Sequence, residues 1–356
     1  MLGMKPRQLS LIALILATTA LAGLLHYLST SALTVFIVAG IALAGLAWLV
    51  SHATEAIGER FGPSVTGVLQ STLGNLPELF IVLFAIKAGE LEVAQTSILG
   101  SLFANALLIL GACIVVGARR SPDGVMRFSG RLPNDTATLL ILASFIIALL
   151  GVSDKVGGRA SQHAVAISVT GAICLLVVYV AWLVPYLKRD LSATPGEMIE
   201  GGHPSTPLAV AIGLLAVAGV GAALVSDWFV GALDPAVKQL GISKTFTGLV
   251  IVAIAGNAVE NVVGIVLAHK GKSDLSISVV KNSVAQIAAF LFPALVLLSL
   301  LFTTHLTFVL NPVLVIALLI TAIAVWQITG DGEASEYEGW ALISIFIVLA
   351  VLAFYS

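Results

Sequence analysis

Charge is what this chain has least of. Asp, Glu, Lys and Arg make up 10% of its 356 residues, where a water-soluble domain carries about 25%. That scarcity excludes an ordinary solvated surface. The few charges nearly cancel: 17 basic against 19 acidic residues give a net charge of −2. No basic stripe for nucleic acid is visible. Cysteine is also nearly absent. Cys113 and Cys174 both lie inside apolar runs, which excludes a disulfide framework and a CxxC metal site. A metal site in this chain is therefore built from oxygen ligands. The sequence holds neither an HExxH motif nor a pair of deep aspartates, so an intramembrane protease is not supported. Neither an enzyme nor a bound cofactor is expected.

What is abundant is apolar sequence. The chain is 59% hydrophobic, with a mean hydropathy of +1.08. Runs near 20 residues, the length that spans a bilayer, fall at 9–28, 33–56, 64–87, 93–117, 135–152, 162–187, 207–230, 246–269, 274–303, 306–328 and 338–356. The expected fold class is an all-α polytopic membrane protein of about eleven transmembrane helices. The longest central break, 188–206, contains Pro195-Gly196, Gly201-Gly202 and Pro204. It reads as a cytoplasmic linker. The organisation is then an N-terminal helix at 1–30, a five-helix unit at 31–187, the linker, and a second five-helix unit at 207–356. Five is odd, so successive units must face opposite ways, as in an inverted repeat.

The positive-inside rule orients the spans. With the N-terminus in the cytoplasm, the cytoplasmic segments carry eleven basic residues, Lys5, Arg7, Arg60, Arg119, Arg120, Arg127, Arg131, Lys188, Arg189, Lys270 and Lys272. The opposite side carries five, Lys87, Lys155, Arg159, Lys238 and Lys244. This places the C-terminus outside, in what is read as a prokaryotic plasma membrane. Lys5 and Arg7 followed by an apolar core and Ala20-Leu21-Ala22 have the parts of a signal peptide. The apolar run continues to Leu28, long for such a segment, and is read as a retained helix.

One short word occurs twice. Gly74-Asn75-Leu76-Pro77-Glu78 and Gly256-Asn257-Ala258-Val259-Glu260 lie 182 residues apart, each in an apolar stretch. At the same offset Gly89 matches Gly271, Ser101 matches Ser283 and Gly111 aligns with Pro293. The repeat therefore covers two consecutive spans in each half. An ionisable residue deep in a membrane helix is costly and marks a functional site by default. Glu78 and Glu260 are the only deep acids.

On a helical wheel, Ser71, Asn75 and Glu78 fall within an arc of about 60°, and Asn257 and Glu260 lie about 60° apart. Ser97, Ser101 and Asn105 share about 80°, and Asn282, Ser283 and Gln286 about 100°. Four helices thus each present one polar stripe. Together they would line a pocket with two carboxylates, amide oxygens and hydroxyls, which is the chemistry of a hard cation such as Ca²⁺. Pro77 removes an amide donor and frees a carbonyl one turn back. A broken helix is tolerated where it lines a cavity, and the freed carbonyl is a further ligand candidate. Removal from water penalises a charged carboxylate, and a second one nearby penalises it further. The empty site should hold protons that a divalent cation displaces, so alternating access turns competition into exchange.

Other polar residues read more plainly. Ser71 and Ser97 are expected to be interhelical hydrogen-bond glue. Glu55, Glu59, Asp227, Asp234, His52 and His269 lie near span ends and read as interfacial. Lys281 points about 150° from the centre of the Asn282–Gln286 arc and is expected to snorkel to the cytoplasmic interface.

The two words and their flanks resemble the paired signature repeats of the calcium/cation antiporter superfamily. The flanks are Leu99-Gly100-Ser101-Leu102-Phe103-Ala104-Asn105 with Leu110-Gly111, and Ile251 to Glu260 with Asp274-Leu275, Ser283 to Gln286 and Pro293. The calcium/proton exchanger branch is the most similar. The resemblance implies a leading helix plus two inverted five-helix repeats, and Ca²⁺ and H⁺ as transported substrates. It also implies Glu78 and Glu260 as the metal- and proton-binding carboxylates, with Asn75, Asn257, Ser101, Asn105, Ser283 and Gln286 completing the metal site. This sequence departs from the family pattern at Asn261, where histidine is common, at Asn282, where glycine is usual, and at Lys281. Its linker is also weakly acidic. A sodium/calcium exchanger, another cation/proton exchanger and a cation channel are the alternatives.

Overall fold

The computed structural model describes residues 6–28, 30–58, 60, 69, 72–129, 131–191 and 206–356, without the side chains of 131–133, 186, 188–191 and 258–261. The helices in chain order are α1 (Pro6–Tyr27), α2 (Ala32–Gly58), α3 (Leu76–Lys87), α4 (Leu91–Ala118), α5 (Arg131–Val156), α6 (Ala164–Leu191), α7 (Leu208–Leu240), α8 (Lys244–Gly256), α9 (Ala258–His269), α10 (Ser273–Ser299), α11 (Pro312–Thr329) and α12 (Glu336–Phe354). Among the described residues, nine are long and apolar enough to cross a membrane: α1, α2, α4, α5, α6, α7, α10, α11 and α12. In lipid every backbone polar group must be satisfied within the segment, so apolar runs of this length fold as helices. The two remaining expected spans, 64–87 and 246–269, are the ones that carry the repeated word, and both are interrupted inside it.

Two helix boundaries and one added sheet differ from expectation for local reasons. α7 runs past 230 to Leu240 and ends on Gly241 in the left-handed conformation (φ 66°), its last turns tied by an Asp234–Lys238 ion pair at 2.7 Å. The tenth span begins at Pro312 rather than 306, because Asn311 caps α11 by accepting from the Val313 amide at 3.0 Å. Residues 125–127 and 333–335 form a small antiparallel sheet pairing Val125 with Ser335, Met126 with Ala334 and Arg127 with Glu333, the only strands among the described residues. Arg127 also bonds Asp123 at 2.7 Å and holds that carboxyl below the usual carboxylate range. The central linker falls mostly on 192–205, outside the described residues.

The contacts divide the chain into two compact units, each drawing on both halves. One comprises 1–84, 180–241 and 255–259. In it α2 packs along α7, with α1 against both. Phe36 stacks on Phe229 at 4.5 Å between ring centroids. Ile12, Leu49, Val50 and Ala218 form a buried cluster onto which Leu73 and Leu76 pack. Leu73 precedes the first repeated word and Leu76 lies within it, so the cluster holds the chain on both sides of the interruption at Asn75.

The other unit comprises 85–179, 242–254 and 260–356. Here α4, buried over most of its length, crosses the first part of α8. Glycines allow the crossing. A Cβ on Gly100 would lie 2.5 Å from the Leu249 Cα, and one on Gly248 would collide with Thr96. Membrane helices without a hydrophobic drive to associate depend on such small-residue contacts. α5 packs on α11 and α10, and α12 on the second half of α4.

Candidate ion-binding site

The repeated word acts first on the backbone. Residues 72–74 are helical, Asn75 is a turn residue, and α3 restarts at Leu76. In the second copy α8 ends at Gly256, Asn257 is the turn, and α9 restarts at Ala258. The Leu79 amide donates to the Asn75 carbonyl at 2.9 Å, closing the first turn of α3. Pro77 falls in that turn, where a missing amide proton has no helical partner to lose. Asn followed three residues later by Glu is also the spacing of a capping box. Both glutamates are therefore the third residue of a 12-residue half-helix. That is the turn where the helix dipole favours negative charge. Five residues thus encode a break, a restart and the placement of a carboxylate.

The first copy and residues 256–259 of the second lie in one compact unit, and Glu260 falls in the other. Glu78 is 1% exposed, Asn75 4% and Asn257 2%. A Cβ on Gly256 would lie 3.8 Å from the Glu78 Cβ, so the acid of the first copy lies against the glycine of the second. The side chains of Glu260 and Asn261 lie outside the described residues, as do Ser71 and Glu59 entirely.

Besides Glu260, the second compact unit holds four expected ligands. Ser101, Asn105, Ser283 and Gln286 are all buried. Both helices that carry them widen into a π-helix at this level, α4 over Ala104–Ile109 and α10 over Ile287–Leu291. α10 packs against the π stretch of α4, which brings Ser101 and Asn105 onto elements adjacent to Ser283 and Gln286. π stretches are rare and gather at functional sites. Asn105 donates its amide to the Ser101 carbonyl at 3.0 Å, which commits the donor end of that side chain to the backbone. The hydroxyl of Tyr179 on α6 sits beside the Gln286 amide, and its ring packs on Phe290 at 5.5 Å. Nothing in the sequence flagged Tyr179.

Two sequence expectations are corrected. Lys281 does not snorkel. It is 1% exposed, and its ammonium donates to the Thr329 hydroxyl at 2.6 Å. The Thr329 hydroxyl donates its own hydrogen bond to the Val325 carbonyl at 2.6 Å, leaving a lone pair for the lysine. The wheel direction was sound, but α11 lies on that side rather than an aqueous path. Ser97 donates to Val93 of its own helix at 2.6 Å rather than across to a neighbour. The end-of-span acids behave as expected. Glu55 and Asp227 are exposed, and Asp234 pairs with Lys238.

The halves repeat each other's local structure well beyond the word. Gly89 (φ 80°) and Gly271 (φ 75°) take the left-handed conformation that ends α3 and α9. Glu90 donates its amide to Ala85 at 2.8 Å, and Lys272 donates to Leu267 at 3.0 Å. The residues that open α4 and α10 have almost the same geometry, φ −86°, ψ 60° at Glu90 and φ −92°, ψ 63° at Lys272. Each following helix carries an acid in its first turn, Glu92 and Asp274.

Repeated half-helices, each opening on an asparagine and carrying a glutamate in its first turn, are the build of a secondary transporter. The chain belongs to the sodium/calcium exchanger protein family, which matches residues 31–187 and 210–355. It is 33% identical over 347 residues to a Ca²⁺/H⁺ antiporter of Synechocystis, covering 93% of each chain. It is 34% identical to a vacuolar calcium ion transporter of Schizosaccharomyces pombe, covering 91% of this chain and 80% of that one. A solved structure of native YfkE superposes with a TM-score of 0.81 at 27% identity, covering 97% of this chain and 100% of the other. An H⁺/Ca²⁺ exchanger CAX structure shares the fold, with a TM-score of 0.78 at 17% identity and coverage of 97% and 88%.

Proposed function

We propose that this protein is a secondary antiporter that exchanges Ca²⁺ for H⁺ by alternating access, and not an enzyme. The observation that carries the reading is Glu78, an acid enclosed at 1% exposure in the first turn of a half-helix and packed on the glycine of the repeated word. The relatives named above, a Ca²⁺/H⁺ antiporter among them at 33% identity over 93% of both chains, support the ion pair.

The metal set of the proposal is Glu78, Glu260, Asn75, Asn257, Ser101, Asn105, Ser283 and Gln286, with Glu78 and Glu260 also binding protons. The chemistry follows from the residue types. Ca²⁺ takes oxygen ligands, with carboxylates supplying the charge and neutral carbonyls and hydroxyls filling the shell. Two carboxylates neutralise one divalent cation. When it leaves, a pair of charges out of water is penalised, and protons take its place. The first-turn position tempers that penalty, so the acids can release protons when the cation arrives. No cofactor enters this scheme, and Ca²⁺ is cargo. The orientation that accords with the basic residues has the N-terminus in the cytoplasm and the C-terminus outside, in a prokaryotic plasma membrane.

The gradient that drives flux tests the coupling ion. In proteoliposomes, an imposed pH gradient should drive Ca²⁺ movement and an equal sodium gradient should not. Flux that follows sodium would refute proton coupling, and flux without either gradient would point to a channel.

A further inference from the structure

Of two enclosed amide oxygens on α10, that of Gln286 belongs to the proposed metal set and that of Asn282 has no assigned purpose. The Oδ1 of Asn282 and the Oε1 of Gln286 are both enclosed and accept no hydrogen bond among the described residues. They sit four residues apart, one helical turn, which puts them on the same face. Both precede the π stretch Ile287–Leu291. Lys281, the nearest strong donor in sequence, donates a hydrogen bond to the Thr329 hydroxyl on α11, and it projects about 100° round the helix from Asn282. Gln286 has the Tyr179 hydroxyl beside its amide, and its Oε1 stays unmatched.

Buried polar atoms are almost always matched, and the exceptions call for a reason. An amide carbonyl is a strong neutral acceptor with no proton of its own to give or lose. Two of them in a row on a membrane helix suit a hard cation shedding water, which takes amide oxygens readily. We infer that Asn282 and Gln286 form a two-oxygen rung on α10 that receives the dehydrated cation, making Asn282 an ion-binding position in addition to the eight of the proposed site. This rests on the functional reading above. The rung is neutral, so it contributes to divalent affinity and selectivity without adding to the proton count.

The test pairs two readouts on purified protein: Ca²⁺-dependent thermal stabilisation in detergent, and the Ca²⁺ dependence of exchange in proteoliposomes. Asn282→Ala should raise the Ca²⁺ concentration for half-maximal response about tenfold in both, with the maximal rate within about twofold of wild type. Asn282→Asp should restore affinity and shift the Ca²⁺/Sr²⁺ preference. Asn282→Leu, of similar volume but without the oxygen, covers the case in which the alanine variant does not fold and should show the same loss of affinity. Wild-type Ca²⁺ dependence in Asn282→Ala or in Asn282→Leu would overturn the inference while leaving the exchanger reading intact. A wild-type protein that neither exchanges Ca²⁺ nor is stabilised by it would overturn both.

Discussion

Replacing Gly100 by alanine should damage the protein more than its one added carbon suggests. The new Cβ would lie 2.5 Å from the Leu249 Cα and closer still to the Leu249 carbonyl oxygen. These are backbone atoms, which cannot swing away as a side chain could. Restoring ordinary contact needs the crossing of α4 and α8 to open by roughly 1 Å, and overpacking of this kind costs about 1–3 kcal/mol. Gly213 on α7 is the control, since a Cβ there meets nothing within 4 Å. Gly213→Ala should be neutral or stabilising by about 0.5–1 kcal/mol, the helix preference of alanine over glycine. Thermal unfolding of the two variants in one detergent measures the difference. Because Ser101 follows Gly100 directly, the Gly100 variant should also lose transport. A melting temperature for Gly100→Ala equal to that of Gly213→Ala would refute the close crossing on which this argument rests.

Two further variants probe the interruptions and the buried lysine. Asn75→Ala should destabilise α3 by about 1 kcal/mol by replacing the asparagine at its N-cap position and should also weaken Ca²⁺ dependence; a variant with the stability loss alone would confine Asn75 to a structural role. Thr329→Val removes an acceptor from the buried Lys281 ammonium and should cost about 1–3 kcal/mol. Lys281→Met in the same background should recover most of that loss, and thermal unfolding of the four-member cycle reads it. A cycle without coupling would contradict the 2.6 Å contact.

Much of the fold is legible because lipid leaves so few choices. A run of about 20 apolar residues must be a helix, and α1, α2, α4 and α12 lie within a few residues of their expected spans. The interruptions are legible too. Gly-Asn is turn chemistry, and Asn-x-x-Glu restarts a helix, so the word that carries the acid also breaks the span. Other features depend on partners far away in sequence. The strands at 125–127 and 333–335 are three residues each, too short to show alternation, and they exist only because each has the other. Lys281 could be aimed from a wheel, but the wheel holds no neighbour, and the Thr329 hydroxyl 48 positions on decides its fate. The π stretches at 104–109 and 287–291 alter the angular step that the wheel takes as constant. The wheel placed Ser101, Asn105, Ser283 and Gln286 on polar stripes without showing that the helices widen there. Asn282 was legible as part of a stripe, whereas its unmatched oxygen is visible only once every neighbour is placed.

The most direct test follows Ca²⁺ and internal pH together in proteoliposomes with an imposed pH gradient, for wild type and Glu78→Gln. The account predicts Ca²⁺ uptake tied to proton efflux in the wild type, and no exchange in a Glu78→Gln variant that still folds. Full exchange in Glu78→Gln would contradict it.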